Sequence, residues 1–299
     1  MTENARSPEP DALTPFLEVD NLQHWFGGLH VISEVSLSCP QGIVKAIIGP
    51  NGAGKTTLFN LISGSLTPVS GSIRFLGEEI AGLPPHRIAQ RGVSRTFQAS
   101  HLFPGMSVLE NVMTGRHAAS RSGFVSCMLA LPRALREERT IRGDAMEILA
   151  EMGIADLAEK DGGSLPFGQQ RIVEIARALA ARPRLLLLDE PACGLTMRET
   201  EVMGELISGI RTKGTTVVIV EHDMSLVMGI SDEVVVLSYG RKIAEGSPRE
   251  IQSNPEVIEI YLGSDSEGDA AFGARTAAAP DADHDPRGAG EPGGADAQG

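Results

Sequence analysis

Short apolar runs alternate with longer amphipathic stretches through most of this chain. Residues 43–48, 184–190 and 215–220 are mostly apolar, as expected for parallel strands that are buried on both faces. Residues 56–62 and 200–211 each lie C-terminal to one of these strands and have helical spacing. Alternation of strands and helices predicts an α/β fold with a largely parallel sheet.

A second kind of segment alternates apolar and polar residues, which is typical of strands with one buried face. Residues 16–22, 31–38 and 72–76 have this pattern, and we expect them to form a small antiparallel sheet beside the core. Two further strands are predicted at residues 93–97 and 231–237.

Helices are also predicted from apolar spacing and from Pro or Gly boundaries. They cover residues 85–91, 110–117, 144–152, 171–182 and 254–262. A variable stretch, residues 118–142, contains arginines at every third position, namely Arg133, Arg136, Arg139 and Arg142. These form either a solvated basic face or a patch that meets an acidic partner.

The glycine-rich loop after residues 43–48 is the most specific motif in the sequence. Its residues Gly-Pro-Asn-Gly-Ala-Gly-Lys-Thr fit G-x-x-x-x-G-K-[ST]. Glycines let backbone N–H groups approach an anion, and the following helix N-terminus adds partial positive charge. We expect Lys55 to meet the β- and γ-phosphates of a nucleotide, Thr56 to hold Mg²⁺ and Thr57 to reach the α-phosphate. The predicted nucleotide-binding residues of the loop are Gly49, Pro50, Asn51, Gly52, Ala53, Gly54, Lys55, Thr56 and Thr57.

Polar residues at three other strand ends supply candidate catalytic groups. Asp189 and Glu190 end an apolar strand, where buried acids need a counter-charge such as a magnesium–nucleotide complex. We predict that Asp189 binds Mg²⁺ and that Glu190 orients or deprotonates the attacking water. Gln98 would reach Mg²⁺ or the water, and His222 would bond the γ-phosphate. A lone Gln or His at a strand end is more commonly structural, but the phosphate loop in the same chain favours the catalytic interpretation. The predicted metal ligands are Thr56, Gln98 and Asp189.

A second candidate anion-binding end precedes the helix at residues 171–182. It consists of Leu165, Pro166, Phe167, Gly168 and Gln169. One chain cannot easily wrap two helix N-termini around one phosphate chain from opposite sides, so we expect this segment to serve the nucleotide of a partner.

Composition is that of a globular protein, and no apolar run is long enough for a membrane-spanning helix. The 299 residues have 41% hydrophobic content and a net charge of −13, which argues against nucleic acid as a partner. Three scattered cysteines show no metal or disulfide spacing and suit a reducing compartment. We expect residues 1–15 to be a disordered lead that is not a signal peptide, and residues 264–299 to be a disordered acidic tail with eight acidic and two basic residues.

Together these motifs resemble the ATPase subunits of ATP-binding-cassette (ABC) transporters, over residues 16–263. The resemblance implies a P-loop NTPase with a RecA-like mixed sheet core, an antiparallel β subdomain and a helical signature subdomain at about residues 99–180. It implies ATP with Mg²⁺, adenine stacking on Phe26, and residues 165–169 as the signature that acts in trans.

Several segments are similar to one branch, the larger ATPase of branched-chain amino acid importers. They are residues 26–29, 95–98, 168–171, 221–232 and 261–263. This resemblance implies a second ABC ATPase subunit, two integral-membrane permeases, an extracytoplasmic substrate-binding protein as an indirect partner, and a place at the cytoplasmic face of the inner or plasma membrane. Import of urea or short-chain amides, lipopolysaccharide export and a soluble, non-transport ABC protein are the alternatives.

Two segments depart from the family pattern, at three positions. Pro166 stands where the signature has Ser, and Phe167 where it has its first Gly; Thr196 stands where the loop after the catalytic Glu ends in Asp. These positions serve the partner's nucleotide more than this chain's own. We therefore expect two unequal ATP sites, with the stronger one built on this chain's phosphate loop.

Overall fold

The computed structural model describes residues 15–96, 102–117 and 132–262. The predictions for Gln98, for the lead and for the acidic tail concern residues outside this part of the chain. The strands are β1 (Leu17–Phe26), β2 (Leu29–Cys39), β3 (Val44–Ile48), β4 (Ser70–Phe75), β5 (Glu78–Glu79), β6 (Val93–Arg95), β7 (Leu185–Asp189), β8 (Thr216–Val220), β9 (Glu233–Ser238) and β10 (Arg241–Gly246).

The strands form two sheets, as the patterns predict. The antiparallel sheet has the order β2-β1-β4-β5, and the core sheet has the order β10-β9-β3-β8-β7-β6. Within the core sheet every neighbouring pair is parallel except β9 with β10. The α/β class and the mixed core sheet are therefore confirmed.

The helices in the described residues are α1 (Lys55–Ile62), α2 (Pro85–Gln90), α3 (Val108–His117), α4 (Pro132–Glu151), α5 (Phe167–Ala180), α6 (Met197–Thr212), α7 (Met224–Ile230), α8 (Pro248–Ser253) and α9 (Pro255–Leu262). No helix in these ranges is both long and apolar enough to cross a bilayer.

Some predicted boundaries are wrong. The structure starts α4 at Pro132, so part of the stretch predicted as variable is helical. Helix α5 begins at Phe167 rather than at residue 171, because Pro166 has extended angles that suit the position before a helix. Helix α6 begins at Met197, where the side chain of Thr196 and that of Glu199 form a capping box.

Three of the four spaced arginines have described side chains. Arg136, Arg139 and Arg142 are exposed on α4, and Arg142 pairs with Glu159 at 2.7 Å. Exposure agrees with a solvated basic face; contact with an acidic partner stays a prediction.

Two hydrophobic clusters cover the two faces of the core sheet. In β7, Leu186 and Leu188 belong to one cluster, and Leu185 and Leu187 belong to the other. Both faces of the strand are therefore buried, which is why it is apolar at successive positions.

Lys45 is a charged residue in the middle of this buried sheet. It is 1% exposed, and its Nζ donates to Glu233 at 2.7 Å, to Glu245 and to the carbonyl of Ser38. Burial alone would lower the pKa of Lys45, but the bonds to both carboxylates hold it above its ordinary value. The cluster ties β3 and β2 to β9 and β10.

We expect Lys45→Met to lower the free energy of unfolding by about 1–3 kcal/mol, because Glu233, Glu245 and the carbonyl of Ser38 each lose a hydrogen bond, while Lys242 still donates to Glu245. The carboxylates are partly exposed, so the loss is smaller than for a fully buried pair. Chemical denaturation of both proteins measures the difference.

The matched control is Lys213→Met, which removes an exposed ion pair with Glu151 and should lower the free energy of unfolding by less than about 0.5 kcal/mol.

Burial alone would raise the pKa of Glu245, but bonds from Lys242 and Lys45 lower it below its ordinary 4.5. A lowered carboxyl pKa stabilises the fold above that value and loses its effect as the pH falls through the folded-state pKa. The difference between wild type and Lys45→Met should therefore shrink in acid; a constant difference down to the acid transition would contradict this assignment.

Candidate active site

The phosphate loop follows β3 and bends into α1 through positions that exclude a side chain. Gly54 has φ 99° and is the residue before α1. A Cβ on Gly54 would lie 2.7 Å from the carbonyl oxygen of Val31 and 2.9 Å from Cδ1 of Ile32. A Cβ on Gly49 would collide with the carbonyl of Leu237. The loop is thus enclosed by β2 and β9, and only glycine fits these two points.

Lys55 is held by the loop that precedes it. Its Nζ donates to the carbonyl oxygens of Gly49 at 2.6 Å and Pro50 at 3.0 Å. Burial lowers the pKa of Lys55, and the negative charges of Glu190 and Asp189 partly offset this effect. Both acids therefore favour the charged form of Lys55.

Sheet register explains why the acids lie beside the loop. Strand β8 lies between β3 and β7, and Val220 pairs with both Ile47 and Asp189. The carboxyl ends of the three strands therefore lie level with one another. Ligands of open parallel sheets bind at this edge.

Asp189 has one oxygen that is paired and one that is not. Its Oδ2 accepts from Arg95 Nη2 at 2.8 Å, and its Oδ1 is buried without a hydrogen-bond partner in the described residues. Thr56, at the start of α1, is exposed. A carboxylate oxygen with spare capacity and a hydroxyl are ligands that Mg²⁺ accepts, so the residues present fit this ion.

Arg95 is a part of the site that the sequence patterns do not predict. Besides Asp189, its guanidinium reaches Asn60 Oδ1 at 2.7 Å and Ser63 Oγ at 2.9 Å. It thereby joins the ends of β6, β7 and α1. In the sequence, Arg95 is a basic residue at a strand end, three positions before Gln98, within one of the segments that carry the family resemblance.

Glu190 begins the turn that leaves β7. Its φ is 48°, a left-handed value that is uncommon for a residue with a side chain, and its backbone N–H donates to Val220 at 2.9 Å. This bond attaches the catalytic candidate directly to the end of β8.

Glu221 is a second group that the sequence analysis missed. Burial raises its pKa, and the backbone N–H groups of Ala192, His222 and Asp223 act in the opposite direction. The bonds from Ala192 and His222 are 2.7 and 3.0 Å long. Glu221 therefore connects the loop after Glu190 to the segment that carries His222. The His222 side chain is 58% exposed and remains accessible at this edge.

The remaining predicted residues lie on two other surfaces. Phe26 ends β1 and is 51% exposed, as an adenine platform must be. The signature segment, residues 165–169, runs into the first turn of α5. There Phe167 is 44% exposed and its ring lies 5.0 Å from the guanidinium carbon of Arg171. Gly168 is buried and Gln169 is half-buried.

A family model described as "ABC transporter" matches residues 32–193, more than half of the chain. The chain belongs to the ABC transporter family. A second model, described as "Branched-chain amino acid ATP-binding cassette transporter", matches residues 241–267. The matched regions hold the phosphate loop, Asp189 and Glu190, and the chain is an ABC ATPase. Such a transporter ATPase works with membrane permeases.

Curated relatives cover nearly the whole domain. The chain is 45% identical over 250 residues to the high-affinity branched-chain amino acid transport ATP-binding protein BraF of Pseudomonas aeruginosa, a match that spans 83% of this chain and 98% of BraF. It is 42% identical over 251 residues to LivG of Escherichia coli, a protein of the same description, with the same coverage.

Solved structures of ABC transporter cassettes have the same fold. A nucleotide-free ATP-binding cassette from an ABC transporter superposes with a TM-score of 0.73 at 30% identity, covering 84% of this chain and 100% of that one. The ADP conformation of an ABC transporter cassette also gives a TM-score of 0.73 at 30% identity, with the same coverage. The prediction of an ABC ATPase related to branched-chain amino acid transport is confirmed.

Lys55→Ala should weaken ATP binding in the presence of Mg²⁺ by about tenfold or more, because charge-assisted bonds to phosphate are lost. Titration calorimetry on the purified chain measures this. Lys160→Ala, which removes an exposed lysine, is the control and should bind normally. Wild-type affinity in a folded Lys55→Ala protein would remove Lys55 from the nucleotide site.

Proposed function

We propose that this chain is the ATP-hydrolysing subunit of an ABC importer for branched-chain or other hydrophobic amino acids. It lies at the cytoplasmic face of the membrane and pairs with a second ABC ATPase. Two permeases carry the cargo, and an extracytoplasmic binding protein delivers it. The convergence of three strand ends on the phosphate loop supports the hydrolysis, and the descriptions of BraF and LivG support the cargo class.

Nucleotide binding uses groups that are already in position. Backbone N–H groups of residues 51–56, the N-terminus of α1 and Lys55 hold the phosphates, and Phe26 stacks on adenine. Donors fixed before the substrate arrives need no reorganisation as charge develops on the transferred phosphoryl group.

Hydrolysis requires the acids and His222. Thr56, Gln98 and Asp189 would hold Mg²⁺, which would supply positive charge to offset that of the phosphates. Glu190 orients the attacking water and accepts its proton. His222 donates to the γ-phosphate, and Glu221 fixes the backbone on which His222 stands.

The cleft between β6 and helices α3 and α5 is the proposed contact with the permeases. It has a volume of about 550 Å³ and is lined by Arg95, Thr114 and Arg177, with Phe103 at its edge. Phe103 is 50% exposed and lies 5.7 Å from the guanidinium of Arg177. Because Arg95 also holds Asp189, a permease segment in this cleft lies one residue away from the metal site.

Glu190→Gln should lower ATP turnover of the complex with its permeases by about 100-fold, since general base catalysis contributes at least that much. ATP binding should be retained. Phosphate release and uptake of labelled leucine into proteoliposomes are the measurements. The control is Glu201→Gln, which changes an exposed acid on α6 and should leave phosphate release and leucine uptake unchanged. Unchanged turnover in the Glu190→Gln complex would contradict the catalytic role and the predicted inequality of the two sites.

The proposed inequality of the two ATP sites leads to a second prediction. The signature segment of this chain serves the weaker site, so Gln169→Ala should lower turnover of the same complex by less than about threefold, against about 100-fold for Glu190→Gln. Equal losses from the two variants would show that both ATP sites carry the hydrolysis.

A further inference from the structure

His24 on β1 is buried without a partner. Only 8% of the residue is exposed, and neither ring nitrogen has a hydrogen-bond partner among the described residues. Buried polar side-chain atoms are nearly always paired, and an unpaired one lowers stability. An apolar side chain of similar size would fill this space without that penalty, so the ring's aromatic contacts, and not its nitrogens, are the feature to examine.

Among the described residues, the imidazole has one aromatic neighbour, Phe26, the proposed adenine platform. The pairing of β1 with β2 is irregular between His24 and Trp25, so the ring contact itself shows that the two side chains meet. Their ring centroids are 4.7 Å apart, and their planes meet at 82°. This is the edge-to-face arrangement that aromatic pairs prefer. Phe26 is half exposed, and no other aromatic contact of its ring occurs in the described residues.

The position of His24 also links Phe26 to the phosphate loop. His24 pairs with Ile32 of β2 in the antiparallel sheet. Ile32 lies against Gly54, where a Cβ would come within 2.9 Å of its Cδ1. His24 is therefore the cross-strand neighbour of a residue that borders the phosphate loop.

We propose that His24 is a positioning residue that fixes the Phe26 ring for adenine stacking. The inference rests on the proposed role of Phe26 in nucleotide binding. The edge of the imidazole restrains a ring that would otherwise be free to rotate at the exposed end of β1. Ordering the platform before binding removes an entropic cost from the association with adenine. The two unpaired nitrogens take no part in this role and lower stability.

The test compares His24→Leu, which removes the ring, with His24→Phe, which keeps an aromatic edge and removes the nitrogens. Calorimetry of the full chain with ADP and Mg²⁺ gives the affinity, and pyrophosphate serves as a ligand without a base. His24→Leu should weaken ADP binding about two- to tenfold, the value of an aromatic pair, and leave pyrophosphate binding unchanged. His24→Phe should bind ADP within about twofold of wild type. Both variants should melt at or above the wild-type temperature, because neither buries an unpaired nitrogen. A purely structural histidine would not give weaker ADP binding in His24→Leu without a lower melting temperature.

Phe26→Ala, alone and combined with His24→Leu, separates the inference from the function on which it rests. Phe26→Ala should weaken ADP binding by about tenfold, and His24→Leu should have no additional effect in that background. Normal ADP binding by Phe26→Ala would refute the stacking role itself. Weak binding by Phe26→Ala together with normal binding by His24→Leu, additive effects in the double variant, or a His24→Phe protein as weak as His24→Leu, would overturn the positioning role alone.

Discussion

The nucleotide site depends on a positive charge that is held in a low-dielectric environment by backbone carbonyls. Lys55 donates to Gly49 and Pro50, so the loop and the lysine fix each other. The loop is fixed in turn by distant parts of the chain, since Gly240 donates to the carbonyl of Ala53 at 3.0 Å. Burial lowers the pKa of Lys55, and the negative charges of Glu190 and Asp189 at the end of β7 partly offset that shift. A nucleotide therefore meets donors that need little rearrangement.

The acids at the same edge pose the opposite problem, because buried carboxylates are costly unless they are paired. Asp189 and Glu221 have different kinds of hydrogen-bond partner. Asp189 pairs with Arg95 through one oxygen, and its other oxygen has no hydrogen-bond partner in the described residues. Glu221 accepts only backbone N–H groups and serves as a structural link. Removing any one of these partners leaves a buried charge uncompensated, so metal binding, the loop after Glu190 and the His222 segment respond together.

Local patterns predicted most strands and most helices because burial on one or two faces leaves a period that any window of residues displays. The phosphate loop was equally readable, since its chemistry lies in eight consecutive residues. Patterns failed where the cause is not local. Helix α4 was predicted too short because its first turns are polar, and β10 was missed because its residues are half-exposed and pair only at the sheet edge. Arg95 and Glu221 were missed because their partners are far away in the sequence.

The sequence by itself determined the α/β class, the ABC resemblance, the phosphate loop and the identity of the two acids at the end of β7, because each is encoded by short-range spacing or by residue type. Only the tertiary structure decided which groups meet. The parallel register of β3, β8 and β7 brings Lys55, Asp189 and His222 to one edge. The pairing of β1 with β2 sets His24 beside Ile32, which borders Gly54. Contacts between residues far apart in the chain follow from strand order and register, and no local window of sequence contains either.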